Sequence, residues 1–513
     1  MSQDSLRPGV SSQDAAQPST LAPASFASAT AKYRHPGILA LIGDLGPLIC
    51  GGVALILGAW QISRLSFTQD EAATISVIRR PFGSMLALLG HIDAVHGAYY
   101  LVMHLVVKLG PSEVILRAPS VLAMAGAASL TALIGAKVAG KATGLAAGLI
   151  FSLTWLTTEY ADDARPFAMA TFLAVLASYR FVVYLLTGTR RDAGWYAAVL
   201  AVCGLMNVFA LLVATAHLVT LLASPVARAR LPRYGAALAA VAVLVSPLAW
   251  LAATQVSQVG WEQRPRPAVS LGILAALVVT AAVSFALARP GRSLQVARPA
   301  EAAFGPEPLI RLSAPWLVIP IALLLGASQL TVAHSPGQSP TADAGIWEPR
   351  YLLFCLPAAA LLIVALVSRL PRRAAVAAAT AVVVVAAASQ PLARPAISPD
   401  DLRSVSALIG RQSRPGDAII FPDIAKRLIE DAYPAGFSRV RDIGLDTSAA
   451  ARNSLYGLNV SAPVLRSRLA HVQRLWIVVF PTESPGAHYQ NFCLLRSWRF
   501  PLNTVLLYRR CAG

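Results

Sequence analysis

The sequence predicts a polytopic all-α membrane protein of about eleven transmembrane helices, followed by a small C-terminal α/β domain. Three observations carry this. First, 56% of the 513 residues are hydrophobic and 13% are charged, against about 25% charged in a soluble domain, so most of the chain belongs in lipid. Second, apolar runs follow one another from residue 37 to residue 391, with arginines clustered between them. Third, the pattern changes after Gln390 to short strand-like and helix-like stretches. The formal charge of +18 suggests nucleic acid at first sight. Arginines placed between apolar runs are topology signals instead, so nucleic acid is excluded as a partner.

Residues 1–36 are rich in Ser, Ala, Gln and Pro without an apolar core, which predicts a disordered cytoplasmic tail. The run 37–62 has no small-residue cleavage signal after it and is expected to stay as an anchor. A bilayer needs about 20 apolar residues as helix. Further runs cover 118–136, 143–158, 167–187, 194–224, 235–253, 269–288, 314–333, 351–368 and 374–391. The run 194–224 fits one long helix or two short ones, and it is flanked on both sides by arginines. Both clusters face the cytoplasm only if it crosses twice, with a break near Met206-Asn207. With the N-terminus inside, fourteen Lys and Arg fall in the inner loops. The outer loops after the first one, before the C-terminal region, hold only Arg165, Arg264, Arg266 and Arg350. This asymmetry orients the chain in a plasma membrane, with a cytoplasmic N-terminus and everything after residue 392 outside.

The first outer loop, 63–117, is the unusual part. Tyr99 to Gly110 is apolar but only about 12 residues long, too short to span. It is expected to lie in the interface with the helices 71–80 and 82–90, which Pro81 separates. Asp70-Glu71 opens this loop, and a second acidic cluster, Glu159 to Asp163, ends a later run on the same face. Carboxylates at a membrane surface are costly to retain without a use.

The C-terminal region 392–513 contains strand-like runs at 416–421, 474–480 and 503–509. Ser398-Pro399-Asp400-Asp401 reads as a helix start with Ser398 as cap. No phosphate loop or catalytic triad spacing occurs there, so an accessory or acceptor-binding domain is expected. Cys50, Cys203 and Cys355 fall in apolar runs and read as small core residues. Cys493 and Cys511 can pair if the region is outside the cytoplasm and stay free otherwise.

Five stretches, taken in order, carry a resemblance. They are Thr68-Gln69-Asp70-Glu71-Ala72, Asp93 to Tyr100, Leu116-Arg117-Ala118-Pro119-Ser120, Tyr160 to Ala168 and Arg350-Tyr351-Leu352-Leu353. In this order and topology, residues 37–391 resemble the GT-C glycosyltransferases related to the protein mannosyltransferases of glycosyltransferase family 39. The chain departs from the common pattern at His96-Gly97-Ala98, where Pro-Pro is frequent. Asp162-Asp163 stands where Gln-Glu is frequent, and Phe167 stands where Tyr is frequent. The resemblance implies transfer of a sugar, most often mannose, from a polyprenyl-phosphate donor to an extracytoplasmic protein, glycolipid or glycan acceptor.

Such a displacement needs one base to take the acceptor proton and cations to receive the lipid phosphate. Asp70, near a helix N-terminus that favours its ionised form, is the expected base. Glu71 and Asp163 complete the expected catalytic carboxylates. Arg350, at the head of a span beside Trp347, is the expected phosphate ligand, with Arg264 and Arg266 as weaker candidates. His91, Asp93, His96, Tyr99, Glu159 and Arg165 are expected to shape the acceptor side. No metal or other cofactor is required. The H-x-D-x-x-H string His91, Asp93, His96 together with Asp70 still offers a divalent ion four adequate ligands. Two other classes fit a polytopic chain. A transporter or flippase of lipid-linked sugars should show internal repeats and midplane charges, which this sequence lacks. A non-catalytic envelope assembly protein would not need the acidic pair.

Overall fold

A computed structural model describes residues 38–223, 225–255, 265–287, 306–330, 346–482, 489 and 491–511. The chain divides into two compact units, residues 1–41 and 42–513, and the second holds the elements that form the site. The tail 1–36 and Arg264 lie outside the described residues.

The helices are α1 Ile38–Ala59, α2 Gln69–Ile78, α3 Phe82–Leu89, α4 Gly97–Val106, α5 Glu113–Ala139, α6 Lys141–Leu153, α7 Trp155–Ala161 and α8 Phe167–Thr187. They continue with α9 Arg190–Met206, α10 Leu212–Leu222, α11 Pro225–Arg228, α12 Leu231–Thr254, α13 Pro267–Leu287, α14 Pro306–Leu330, α15 Leu356–Val367 and α16 Arg372–Ala388. Seven segments are long and apolar enough to cross a membrane: α5, α8, α12, α13, α14, Pro349–Val367 and Arg372–Ala393. Shorter apolar helices include Asp44–Ala59, Lys141–Leu153 and Val208–Leu222. The chain is a multi-pass membrane protein, and among the described residues each apolar run of the sequence is largely helical. The ambiguous run 194–224 divides at Asn207, whose extended backbone (φ −158°) ends α9. Its side chain accepts a hydrogen bond from Phe209 N at 2.9 Å and so starts the next turn.

Small residues let neighbouring helices approach. A Cβ on Gly144 would stand 2.3 Å from Ala132 O, so α5 and α6 pack backbone to backbone there. The first outer loop forms the short helices α2, α3 and α4, with Pro81 as the boundary between α2 and α3.

The C-terminal region adds α17 Leu402–Gln412, α18 Leu428–Ala432 and α19 Ala462–Leu469. Its strands are β1 Asp417–Ile420, β2 Val440–Asp442, β3 Leu445–Thr447, β4 Leu458–Asn459, β5 Arg474–Val479, β6 Phe492–Arg499 and β7 Thr504–Arg510. A five-stranded sheet has the order β2-β1-β5-β7-β6, and β3 and β4 form a separate ribbon. The pairs β1–β2 and β1–β5 are parallel, while β5–β7 and β6–β7 are antiparallel. Side chains of β5 alternate between two cores. Leu475, Ile477 and Val479 pack on one face. Trp476 and Val478 join the cluster that continues through α17 into the membrane helices. The domain is thus packed onto the helical bundle. A disulfide joins Cys493 and Cys511, and Cys50, Cys203 and Cys355 are buried free thiols.

One expectation is corrected. Ser398 does not cap α17; the helix begins at Leu402 after a left-handed Asp401 (φ 44°). Leu402 N instead donates to Ser66 Oγ at 3.1 Å, across 336 residues. In return Asp400 Oδ2 accepts from Gln69 N at 2.5 Å, the first residue of α2. Each region supplies the cap of the other's helix.

Candidate active site

The site is built on the start of α2. Thr68 and Glu71 form a capping box: Glu71 N donates to Thr68 Oγ1 at 3.2 Å, and Thr68 N donates to Glu71 Oε2 at 2.9 Å. This fixes the first turn and sends Asp70 and Glu71 in different directions.

Glu71 points inward and is wholly buried. Arg117 Nε and Nη2 donate to its two oxygens at 2.8 and 2.7 Å, and Ala164 N donates at 2.9 Å. Arg117 Nη1 reaches Ile62 O and Asp162 Oδ1 at 2.8 and 3.2 Å. This clamp joins the loop before α2, the head of α5 and the turn before α8. Glu71, expected among the catalytic carboxylates, therefore has its lone pairs occupied and stands apart from the open side of the site. Its buried pairing with Arg117 is an arrangement that holds these segments together. No functional role for Arg117 was read from the sequence. The available signal was an arginine inside the head of a span, which must be paired.

Asp70 points the other way, its side chain 47% exposed, and accepts from Arg350 Nη1 at 2.6 Å. Arg350 lies on the 3-10 turn Pro349–Cys355 that leads into α15, 280 residues away. Arg165 Nη1 donates to Asp70 O and Thr74 Oγ1 at 3.4 and 3.3 Å. Burial works to raise the Asp70 pKa, but the Arg165 and Arg350 charges outweigh it and hold the carboxyl below its ordinary range. Both guanidiniums also lie over the Phe167 ring, at 5.6 Å for Arg350 and 6.0 Å for Arg165.

A second carboxylate sits beside this group. Asp93, in a left-handed conformation (φ 62°), accepts from His96 Nδ1 at 2.7 Å and from the Tyr100 hydroxyl. Burial would raise its pKa, yet His96 and Arg165 together hold it low. Gln255, at the end of α12, fixes this turn by accepting from Ala94 N at 2.9 Å. Asp163 is half-buried, and its carbonyl accepts from Ser120 Oγ at 2.7 Å. Burial and then the Glu71 charge raise its carboxyl well above the usual range. Asp162 is pushed up to about 7 by burial, against the pull of Arg117.

Thus Asp70, Asp93, His96, Asp163, Arg165 and Arg350 come together. Tyr99 is fully buried next to them, and its hydroxyl has no hydrogen-bond partner among the described residues. His91 turns away and contacts Ala87 O at 2.8 Å on an exposed surface. Asp93 and His96 bond to each other, while His91 bonds back into α3. Among the described residues no three His, Cys, Asp or Glu groups stand close enough to hold a metal ion. Glu159 is exposed on α7, and Arg266 is exposed before α13.

No protein-family model matches the chain, and no curated protein is detectably similar in sequence. Solved structures are similar in fold. One is ArnT from Cupriavidus metallidurans bound to undecaprenyl phosphate, with 13% identity and a TM-score of 0.56 over 91% of this chain and 98% of that chain. The same protein in the apo state gives 12% identity and a TM-score of 0.56, covering 90% and 97%. The chain has the GT-C membrane fold. Within a GT-C fold, the cluster around Asp70 lies where the heads of α5, α8 and α15 meet the interfacial helices, under the C-terminal domain.

Proposed function

We propose that the chain is a membrane glycosyltransferase that moves a sugar from a polyprenyl-phosphate donor to an extracytoplasmic acceptor, with inversion at the anomeric carbon. The observation that carries this reading is the half-exposed Asp70 carboxylate held at 2.6 Å by Arg350, with Arg165 beside it. A base and two phosphate-binding cations stand within one group at a membrane-facing site. The undecaprenyl phosphate bound to ArnT, which shares this fold, supports the lipid part of the donor.

In the proposed reaction, the acceptor hydroxyl attacks the anomeric carbon as its proton passes to Asp70. The bond from that carbon to the phosphate oxygen breaks, and the bond to the acceptor oxygen forms. The released lipid phosphate gains negative charge, which Arg350 and Arg165 receive. Donor binding would draw Arg350 from Asp70 and free the base when it is needed. Asp163 would orient the acceptor. Because two guanidiniums supply the positive charge, EDTA should leave the rate unchanged. Mannose is the sugar to which the family resemblance points. The arginine asymmetry and the Cys493–Cys511 disulfide support an extracytoplasmic site.

The test uses purified protein in nanodiscs with polyprenyl-phosphate-[¹⁴C]mannose and a membrane and cell-wall extract as acceptor pool. Transfer of label into an acid-labile glycoside of inverted configuration is expected. Failure with mannose, arabinose and glucose donors, together with no donor binding, would overturn the reading.

A further inference from the structure

The C-terminal sheet has a second face, with its own core. Ala418 and Ile420 of β1 pack there with Leu475, Ile477 and Val479 of β5 and Leu469 of α19. The chain leaves β1 through α18, which packs with the bundle core, and enters β5 from α19, which packs with this second core. Open α/β sheets bind ligands at the carboxyl ends of parallel strands, where the connections change face. A cavity of about 170 Å³ lies at those ends, far above the ~10–15 Å³ that one water needs. Ile420 and Leu469 line its apolar wall, and Pro422 and Gly444 line it just past β1 and β2. Asn459 of β4 also lines it, and its Nδ2 donates to Phe421 O and Pro422 O at 3.3 and 3.0 Å. The Asn459 Oδ1 is buried and accepts no hydrogen bond among the described residues. Arg466 of α19 lines the cavity from an exposed position, and its guanidinium forms no hydrogen bond or ion pair among the described residues. Tyr489, half-buried, adds a ring that stands against Tyr508 with centroids 6.4 Å apart.

We infer that this cavity is a binding site for one acidic sugar unit. A sugar hydroxyl donates to Asn459 Oδ1, which a buried acceptor requires from some partner. The sugar's carboxylate or phosphate pairs with Arg466, whose planar fork matches either group. Its C–H face lies on the apolar wall and the Tyr489 ring, which is apolar on its face and polar at its tip. A bare anion would leave that wall uncovered, and a neutral sugar would leave the guanidinium unpaired. The charge of the domain has the matching sign, since Lys and Arg outnumber Asp and Glu across residues 392–513. The binding itself does not rest on the transferase reading.

The experiment titrates the full chain in a neutral detergent with glucuronic acid, galacturonic acid and glucose 6-phosphate, read by saturation-transfer NMR. Glucose and inorganic phosphate serve as the neutral sugar and the bare anion. At least one acidic sugar should bind saturably, a uronic acid if Arg466 takes a carboxylate and glucose 6-phosphate if it takes a phosphate. Glucose and inorganic phosphate should bind at least about tenfold more weakly, since each lacks one contact. Arg466→Ala should weaken the acidic sugar at least about tenfold, and Arg466→Lys should restore part of the loss. Asn459→Leu should weaken acidic and neutral sugars alike, because it removes the acceptor that both use. The thermal midpoint of Arg466→Ala should match wild type, since the guanidinium holds nothing else in place. The inference fails if wild type binds none of the acidic sugars or binds inorganic phosphate as tightly as they do. It also fails if folded Arg466→Ala binds within about twofold of wild type. Acidic-sugar binding that depends on Arg466 in a protein without transfer activity upholds the inference and counts against the transferase reading alone.

Discussion

Asp70 and Glu71 are adjacent in the chain and opposite in their surroundings. Glu71 is buried with four donors on its two oxygens, including two from Arg117. Asp70 is half exposed and held by one guanidinium group at its carboxylate. A carboxylate with its lone pairs filled has no place for an acceptor's proton. One that keeps an open side next to two guanidiniums does. The lesson is that acidity in a motif says little until each oxygen's partners are known. One residue of the pair holds the fold, and the other is available for chemistry.

The sharpest way to break this contrast is through the clamp. Arg117→Ala would leave Glu71 charged and unpaired in the interior, at a cost of about 3–5 kcal/mol. The thermal midpoint in detergent should fall by roughly 10 °C, measured by tryptophan fluorescence. On the open side, Arg350→Ala should keep the midpoint and raise the donor KM by about 10–150-fold, which corresponds to losing a charged hydrogen bond of about 1.5–3 kcal/mol. Donor titration of the variant checks this.

Asp162, which accepts from Arg117 in the clamp, gives a pH test. Its folded pKa of about 7 lies above the unfolded value of about 3.9. The folded state therefore holds the proton more tightly, so this contribution is full at acid pH and is lost as pH rises towards about 7. The wild-type midpoint should carry a decline between about pH 4 and pH 7, and Asp162→Asn should flatten it. The smallest effect belongs to the exchanged caps. Ser66→Ala removes the acceptor for Leu402 N and should cost about 1 kcal/mol, with little change in KM.

Much of the scaffold was legible because membrane helices announce themselves by length and apolarity. The arginine clusters predicted that the run 194–224 divides near Asn207, where the helix does end. Pro81 marked a helix boundary, and three strands of the sheet were readable from continuous apolar runs. The short strands β2, β3 and β4 were not, since two or three residues carry no period, and β6, where a helical stretch was expected, was missed because it is an edge strand exposed along most of its length. Nor was the cap of α17, because Ser66 supplies it from 336 residues away. Within the site, Asp70 and Arg350 stood out individually, but their meeting across 280 residues is a property of the packed bundle. The spacing of His91, Asp93 and His96 suggested convergence. His96 bonds to Asp93, three residues away, while His91 bonds to Ala87 O in α3.

The most direct measurement compares Asp70→Asn with Glu71→Ala, reading sugar transfer and thermal midpoint on the same preparations. Asp70→Asn should lose about 10²–10⁴-fold in rate, the range for a removed general base, with its midpoint kept. Glu71→Ala should lose its midpoint by roughly 10 °C. If Asp70→Asn keeps more than about a tenth of the wild-type rate, Asp70 is not the base and the division between the two carboxylates fails.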